Sequence, residues 1–302
     1  MSSIHRLACF TVSALIAQAA HASGGPAACE ALSAPGAFDK TTVSSAKMIA
    51  ADAGKRLPAF CEVTASVKPV EGSNITVVYR LPDNWNGKLL GLGGGGWAGN
   101  VRSETAAPGL STGYATAQTN GGHDVTNIWD TAWAANPEAS IDFSYRAIHL
   151  MTDVGKQVVA RYYGEPQKRA YFQGCSTGGR QGLMEVQRFP KDYDGVIAGA
   201  PVYTLRTQTS AVVRNQILSR PGVSLTQTQL KHLNEAALAA CDGKDGLVDG
   251  IVTDPRSCQF DPALAQCGDE HKEPSCLSAS QVKAVRDLYA GRKPASLPRV
   301  RP

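Results

Sequence analysis

Apolar residues follow two different spacings over the first two thirds of the chain. Short apolar runs bounded by Gly, Pro and Asn are typical of strands, and they occur at 74–82, 87–93, 113–120, 169–174 and 194–201. Residues 140–163 instead carry apolar side chains three or four positions apart, which predicts a helix that ends before Gly164 and Pro166. A second helix is expected over 178–189, where Pro190 stops it. Strands that alternate with helices favour parallel pairing, so the predicted fold class is α/β.

The pattern changes after about Tyr203. Residues 224–241 predict a capped amphipathic helix, but the sequence that follows is rich in Asp, Gly and Cys. We interpret this region as a lid inserted into the fold rather than as a continuation of the sheet. The expected organisation is therefore an α/β core over 23–202, a lid over 203–291 and a basic, proline-rich, disordered tail over 292–302.

The first 22 residues have the layout of a secretory signal peptide. His5 and Arg6 precede an apolar run over 7–20, and small residues flank His21 as a cleavage site. The run is too short for a membrane-spanning helix and no later segment is apolar enough, so a membrane partner is not expected. We expect a periplasmic or secreted protein; a buried N-terminal helix is the alternative.

Composition and charge narrow the class of protein. The 302 residues are 43% hydrophobic and 19% charged, which suits a large globular domain with a buried core. The formal net charge is +4, and the Lys and Arg residues are scattered rather than clustered. A nucleic-acid partner is therefore not expected.

The cysteines suit disulfides in an oxidising compartment. Of the eight, Cys9 leaves with the signal peptide, and the odd number that remains leaves one without a partner in the chain. Pairing of sequence neighbours suggests Cys29–Cys61, Cys241–Cys258 and Cys267–Cys276, with Cys175 unpaired. A zinc site is the competing interpretation, but the sequence has no paired CxxC motif and no histidine cluster near these cysteines.

A serine turn separates the strand predicted at 169–174 from the helix predicted at 178–189. Residues 174–178 match G-x-S-x-G with Ser176 at the centre. In such a nucleophile elbow the serine stands at the apex in strained geometry, and small neighbours let the chain pass close to itself. The N–H of Thr177 would form half of an oxyanion hole, aided by the positive end of the helix. A serine that only caps the helix is the alternative.

Four consecutive glycines, Gly93 to Gly96, follow the strand predicted at 87–93. A loop at this place lies beside the serine turn, at the carboxyl ends of the strands, where its N–H groups would complete the oxyanion hole. A phosphate-binding loop is excluded because no Lys-Ser or Lys-Thr pair follows. A merely flexible loop is the alternative.

Three aspartates, Asp242, Asp245 and Asp249, stand close together among glycines. Carboxylates that converge on one point repel each other unless a hard cation lies between them, and oxygen ligands of this kind suit Ca²⁺. The spacing differs from that of an EF-hand loop, and a solvated Asp/Gly turn is the alternative. Cys241 and Cys258 flank the segment and favour a constrained loop.

Taken together, these segments resemble the tannase and feruloyl esterase family, which includes the mono(2-hydroxyethyl) terephthalate hydrolases. The resemblance extends from about Cys29 to about Gly291 and is carried by residues 84–100, 141–149, 171–201 and 241–252. It implies a secreted α/β-hydrolase fold with a large lid, and the cleavage of esters of substituted aromatic acids.

By the same resemblance, Ser176 is the nucleophile, and the N–H groups of Thr177 and of one glycine, best matched by Gly95, form the oxyanion hole. The resemblance also implies a Ca²⁺ site in the lid, with three carboxylates and two main-chain carbonyls as ligands: Asp242, Asp245, Asp249, Leu247 and Ile251. The three suggested cysteine pairs match the arrangement of the family.

The family further implies a catalytic aspartate and a histidine after the lid, with that histidine next to a cysteine bonded to Cys175. This chain ends within the lid, so we expect the aspartate and the histidine to be missing from it. Of the histidines present, His232 suits a surface or packing role and His271 lies in a short cysteine loop. His123 follows a strand and would border the site, whereas His149 is expected to face the core from a helix.

The expected function is a secreted serine carboxylic ester hydrolase of aromatic-acid esters, with Ser176 as its nucleophile. The alternative, from another class, is a catalytically inactive, calcium-stabilised secreted fragment or binding protein. An acyltransferase on the same fold is a third interpretation. Gallate, ferulate and terephthalate esters all remain open as substrates.

Overall fold

The computed structural model describes residues 24–125, 127–268 and 273–290. It divides into two compact units, one up to Tyr203 and one from Thr204 onward. The predicted signal peptide and the predicted disordered tail lie outside the described residues. Within these residues, no helix is both long enough and apolar enough to cross a membrane.

The first unit contains a seven-stranded mixed sheet. Its strands are β1 (Thr41–Ile49), β2 (Phe60–Val67), β3 (Ile75–Pro82), β4 (Lys88–Leu92), β5 (Ala115–Thr119), β6 (Arg169–Cys175) and β7 (Gly195–Gly199). Their order is β1-β2-β3-β5-β4-β6-β7, with antiparallel pairs from β1 to β5 and parallel pairs from β5 to β7. The parallel half confirms the predicted α/β class. β5 lies between β3 and β4, so the two strands that the 83–87 turn joins are not neighbours.

Helices pack on both faces of this sheet. They are α1 (Pro26–Ala31), α2 (Ser103–Ser111), α3 (Pro137–Ile141), α4 (Ala147–Tyr163) and α5 (Thr177–Arg188), with π-helical residues Asp142–Arg146 between α3 and α4. The single helix predicted over 140–163 is therefore divided among three helical pieces. α4 packs on the face that carries Leu89, and α2 packs on the face that carries Leu90 and Leu92. Because successive strand residues point to opposite faces, the sheet is buried from both sides.

The second unit has three longer helices, α6 (Leu205–Asn215), α7 (Gln227–Cys241) and α8 (Ala279–Tyr289). Capping boxes begin α7 at Thr226 and α8 at Ser278, where the hydroxyl and the glutamine three positions on satisfy N–H groups reciprocally. Its apolar core is the cluster Leu233, Ala265, Leu277, Val282 and Val285.

The described residues contain three disulfides, and they are the pairs that the sequence neighbours suggest. Cys29–Cys61 joins α1 to β2 in the core of the first unit. Cys241–Cys258 and Cys267–Cys276 both lie in the second unit, where they close short loops.

Candidate active site

Ser176 is the residue between β6 and α5, with φ 59° and ψ −118°. A residue other than glycine is strained in this conformation, so the surrounding chain must hold it there. Its N–H donates to Gly199 O at 3.0 Å, and its carbonyl accepts from the N–H groups of Arg180 at 3.0 Å and Val202 at 3.2 Å. The Ser176 side chain makes no capping hydrogen bond to α5. The hydroxyl is thus left available at the apex of a sharp turn.

Close approach of the backbone explains the glycines on either side of Ser176. A Cβ atom on Gly174 would lie 2.4 Å from the carbonyl carbon of Gly178. A Cβ atom on Gly93 would lie 2.6 Å from the Cα of Gly178, whose N–H donates to Gly94 O at 3.0 Å. The glycine run after β4 therefore packs directly against the serine turn.

Thr177 is the first residue of α5, and its side chain is buried. Its hydroxyl donates to Gly96 O at 2.5 Å and so joins the helix to the glycine run. The N–H groups of the first helical turn have no acceptor within the helix. Among the described residues the N–H of Thr177 has no acceptor, so it is a free donor at the positive end of α5, one residue after Ser176.

The hydrogen bonds of the glycine run divide its four N–H groups into two pairs. The N–H of Gly93 donates to a main-chain carbonyl of β6 at 2.9 Å, and that of Gly94 donates to Gln181 Oε1 at 2.9 Å. Among the described residues, the N–H groups of Gly95 and Gly96 have no acceptor. A Cβ atom on Gly95 would meet nothing within 4 Å, so this residue faces open space.

A cleft of about 660 Å³ opens at the carboxyl ends of β4, β5, β6 and β7. It is lined by residues that end or follow these strands, among them Gly95, Asn120, His123, Cys175 and Gly199. This is the edge of a parallel sheet at which ligands bind in α/β proteins. The thiol of Cys175 is exposed and has no disulfide partner in the part of the chain that the structure describes.

His123 borders the cleft, as the sequence predicts. Its Nε2 lies 2.6 Å from Trp97 O, and its ring stacks on Trp133 with a centroid separation of 3.9 Å. Nδ1 is buried without a hydrogen-bond partner. Burial lowers the pKa of His123 below its usual value, although the carbonyl of Trp97 opposes the shift. His123 is thus an imidazole fixed in the wall of the cleft by its hydrogen bond and its ring stacking.

No base contacts the candidate nucleophile among the described residues, because no histidine or carboxylate in them hydrogen-bonds to the Ser176 hydroxyl. His232 lies half-buried on α7, in the second unit, and His271 lies outside the described residues. The prediction that His149 faces the core is wrong. Its side chain is 33% exposed, and its Nδ1 lies 2.6 Å from Asp192 Oδ2.

The aspartates proposed as calcium ligands accept N–H groups from their own loop. The pairs are Asp242 with Asp249 and Gly250, Asp245 with Leu247, and Asp249 with Ile251, at 2.9 to 3.3 Å. Among the described residues, one group of three His, Cys, Asp or Glu residues has ligand atoms that all lie within 4.8 Å of one another. That group does not include any of these three aspartates. The donor set still suits Ca²⁺, because it consists of carboxylates and loop carbonyls with glycine turns between them.

The chain matches the model of the tannase and feruloyl esterase family over residues 61–299. It is 35% identical over 236 residues to a probable feruloyl esterase B-2 of Aspergillus flavus, a match that covers 76% of this chain and 44% of that protein. It is 36% identical over 277 residues to the mono(2-hydroxyethyl) terephthalate hydrolase of Piscinibacter sakaiensis, covering 78% of this chain and 46% of that protein. The chain thus spans about half the length of the curated relatives that it matches.

Solved structures give the same picture for the fold. The crystal structure of feruloyl esterase B from Aspergillus oryzae superposes with a TM-score of 0.73 at 33% identity, over 86% of this chain and 55% of that one. Tannin acyl hydrolase from Aspergillus niger gives a TM-score of 0.63 at 25% identity, over 86% of this chain and 53% of that one. The mixed sheet with helices on both faces is accordingly of the α/β-hydrolase type.

Proposed function

The chain belongs to the tannase and feruloyl esterase family, and we propose that it carries the nucleophile and the oxyanion hole of a secreted serine carboxylic ester hydrolase. The conformation of Ser176, at φ 59° and ψ −118° between β6 and α5, is the observation that carries this proposal. The substrates are esters of aromatic acids, because the relatives are named for feruloyl esters, tannin and mono(2-hydroxyethyl) terephthalate.

In the proposed mechanism the Ser176 Oγ attacks the ester carbonyl carbon and forms a tetrahedral intermediate. The N–H groups of Thr177 and Gly95 donate to the oxyanion, because donors fixed in place by the backbone stabilise the charge that develops there. Collapse of the intermediate breaks the bond to the alcohol and leaves an acyl-enzyme, which water then hydrolyses. A base must take the serine proton and pass it to the leaving alcohol. We assign that base to no described residue; the family resemblance assigns it to a histidine after the lid.

Hydrolysis of methyl ferulate and methyl gallate tests the enzymatic proposal. In a protein whose Ser176 is activated by a base, we expect Ser176→Ala to lower kcat by several orders of magnitude, because the covalent route is removed. Ser111→Ala is the matched control, since this hydroxyl only donates to Pro108 O at the end of α2. If the unaltered protein binds methyl ferulate but hydrolyses it no faster than the Ser176→Ala variant does, it is a binding protein instead. This alternative is favoured by the lack of a base at Ser176 among the described residues.

Calcium binding by the second unit is part of the proposal. The carboxylates of Asp242, Asp245 and Asp249, with the carbonyls of Leu247 and Ile251, would hold one Ca²⁺, which supplies charge neutralisation and no chemistry at the serine. We expect chelation by EGTA to lower the melting temperature of the protein, and Asp249→Asn to abolish this response. Asp287→Asn, on α8, is the control. If EGTA leaves the melting temperature unchanged, the segment is a solvated Asp/Gly turn that binds no Ca²⁺.

Secretion is also proposed, because three disulfides are typical of oxidising compartments. Terminal sequencing of the protein recovered from the periplasm or the medium should begin near Ser23 if the signal peptide is removed as expected.

A further inference from the structure

A trio of side chains away from the cleft brings together the donor atoms of a metal site. His149 lies on α4, Glu185 on α5, and Asp192 on the segment between α5 and β7. One ligand atom from each lies within 4.8 Å of the other two. The closest pair, His149 Nδ1 and Asp192 Oδ2, is separated by 2.6 Å.

Glu185 is the member of the trio whose buried carboxylate has no hydrogen-bond donor. The residue is 1% exposed, and both of its carboxylate oxygens are buried without a hydrogen-bond partner. An ionised Glu185 carboxylate in such a place lacks a donor, which is costly, whereas a protonated one has only the neighbouring Asp192 carboxylate as its acceptor. Burial, with the nearby charge of Asp192, raises the pKa of Glu185 to about 9, while Lys156 opposes the shift.

The surroundings of the trio suit a bound cation. The ring of His149 stacks on Phe189 with a centroid separation of 3.8 Å, which fixes the direction of its nitrogens. The side chains of His149 and Asp192 are 33% and 14% exposed, so an ion has a path from solvent to the buried carboxylate. One imidazole nitrogen and two carboxylates are ligands that Zn²⁺ and related first-row ions accept, with a solvent molecule in the fourth position.

We propose that His149, Glu185 and Asp192 bind one divalent transition-metal ion of the Zn²⁺ class. The ion replaces the proton between His149 and Asp192 and provides the partner that Glu185 lacks. Its role is structural, because Glu185 is nine residues beyond Ser176, which is about 13.5 Å along α5 at 1.5 Å per residue. The site would join α4 to α5 and to the segment before β7, and so hold the helix that begins at the serine turn.

Titration calorimetry with ZnCl₂ tests the site on the whole protein after transition metals have been removed. The protein is kept in excess Ca²⁺, so that the aspartate loop of the second unit does not compete for Zn²⁺. We expect one equivalent of Zn²⁺ to bind, and the melting temperature to rise by mass action. His149→Gln and Glu185→Gln should each weaken binding by more than about tenfold, since even loss of an outer partner has an effect of this size. When Co²⁺ is added in place of Zn²⁺, the unaltered protein should show a visible absorption spectrum, and the two variants should not.

Matched controls are His232→Gln, a half-buried histidine on α7, and Glu165→Gln, an exposed carboxylate after α4; both should bind Zn²⁺ as the unaltered protein does. If Glu185→Gln does not fold, the partly exposed His149 still provides a variant that changes one ligand. Failure of the unaltered protein to bind Zn²⁺, or binding that His149→Gln leaves unchanged, overturns the proposal and leaves a proton shared within the trio.

Discussion

The two units of the molecule obtain their order in different ways. In the first, a sheet buried on both faces holds the serine turn through direct backbone contacts. In the second, a small apolar cluster around Leu233 and Leu277 is supplemented by two disulfides and by aspartates that accept loop N–H groups. A large core fixes geometry through packing, whereas a small one relies on cross-links and polar turns.

The largest effect is expected where the backbone of the first unit is closest to itself. A Cβ atom on Gly174 would lie 2.4 Å from main-chain atoms of Gly178, which no side-chain movement can relieve. We expect Gly174→Ala to lower the free energy of unfolding by about 3 kcal/mol or more, or to prevent folding. Urea denaturation followed by tryptophan fluorescence measures this change.

Gly95→Ala provides the contrast within the same glycine-rich site. Its Cβ atom meets nothing within 4 Å, so we expect the stability to stay within about 0.5 kcal/mol of the unaltered protein. Equal urea midpoints for the two variants would show that packing against the turn does not hold the first unit.

Loss of a cross-link should be the next largest effect, in the second unit. Cys241 and Cys258 are separated by 17 positions, and a loop of this length restricts the unfolded chain by about 3 kcal/mol in the loop-entropy model. The double variant Cys241→Ser, Cys258→Ser should lose about this much and should expose the amides of α7 to hydrogen exchange. Exchange in β4 and β6 is the internal reference, because these strands belong to the first unit.

The same contrast explains which features the sequence could predict. Strands β3 to β7 are predictable because they are short apolar runs bounded by turn residues, and α4 is predictable because its apolar residues have clear helical spacing. In β2 the buried Val63, Ala65 and Val67 alternate with polar residues, a pattern that is typical of a strand. The polar residues between them leave no continuous apolar run. β1 is an edge strand with mixed polarity, and its order comes from pairing with β2 rather than from its own pattern.

The candidate site divides in a similar way. Ser176 and the glycines around it are local in sequence, so a short motif predicts them. The trio of His149, Glu185 and Asp192 spans three elements, and only the packing of α4 against α5 brings it together. No spacing rule signals such a cluster.

The smallest expected effect concerns the pH dependence of the first unit. Burial holds the pKa of His123 below its usual 6.5, so the unfolded chain takes up a proton more readily than the folded one between that lowered pKa and about 6.5. The free energy of unfolding should therefore fall as the pH is lowered from about 7 through this window, and should level off below the folded pKa. Thermal melts between pH 5 and 8 measure the slope.

His123→Gln separates this imidazole from all other acid-sensitive groups. Glutamine retains an N–H that is able to donate to Trp97 O but does not titrate, so the variant should lose less stability than the unaltered protein between pH 7 and pH 5. His232→Gln on α7 removes a histidine from the second unit and should leave the slope as it was. If both variants flatten the slope equally, the acid sensitivity belongs to the whole molecule, and the first unit depends on its packed His123 no more than the second unit depends on the half-buried His232.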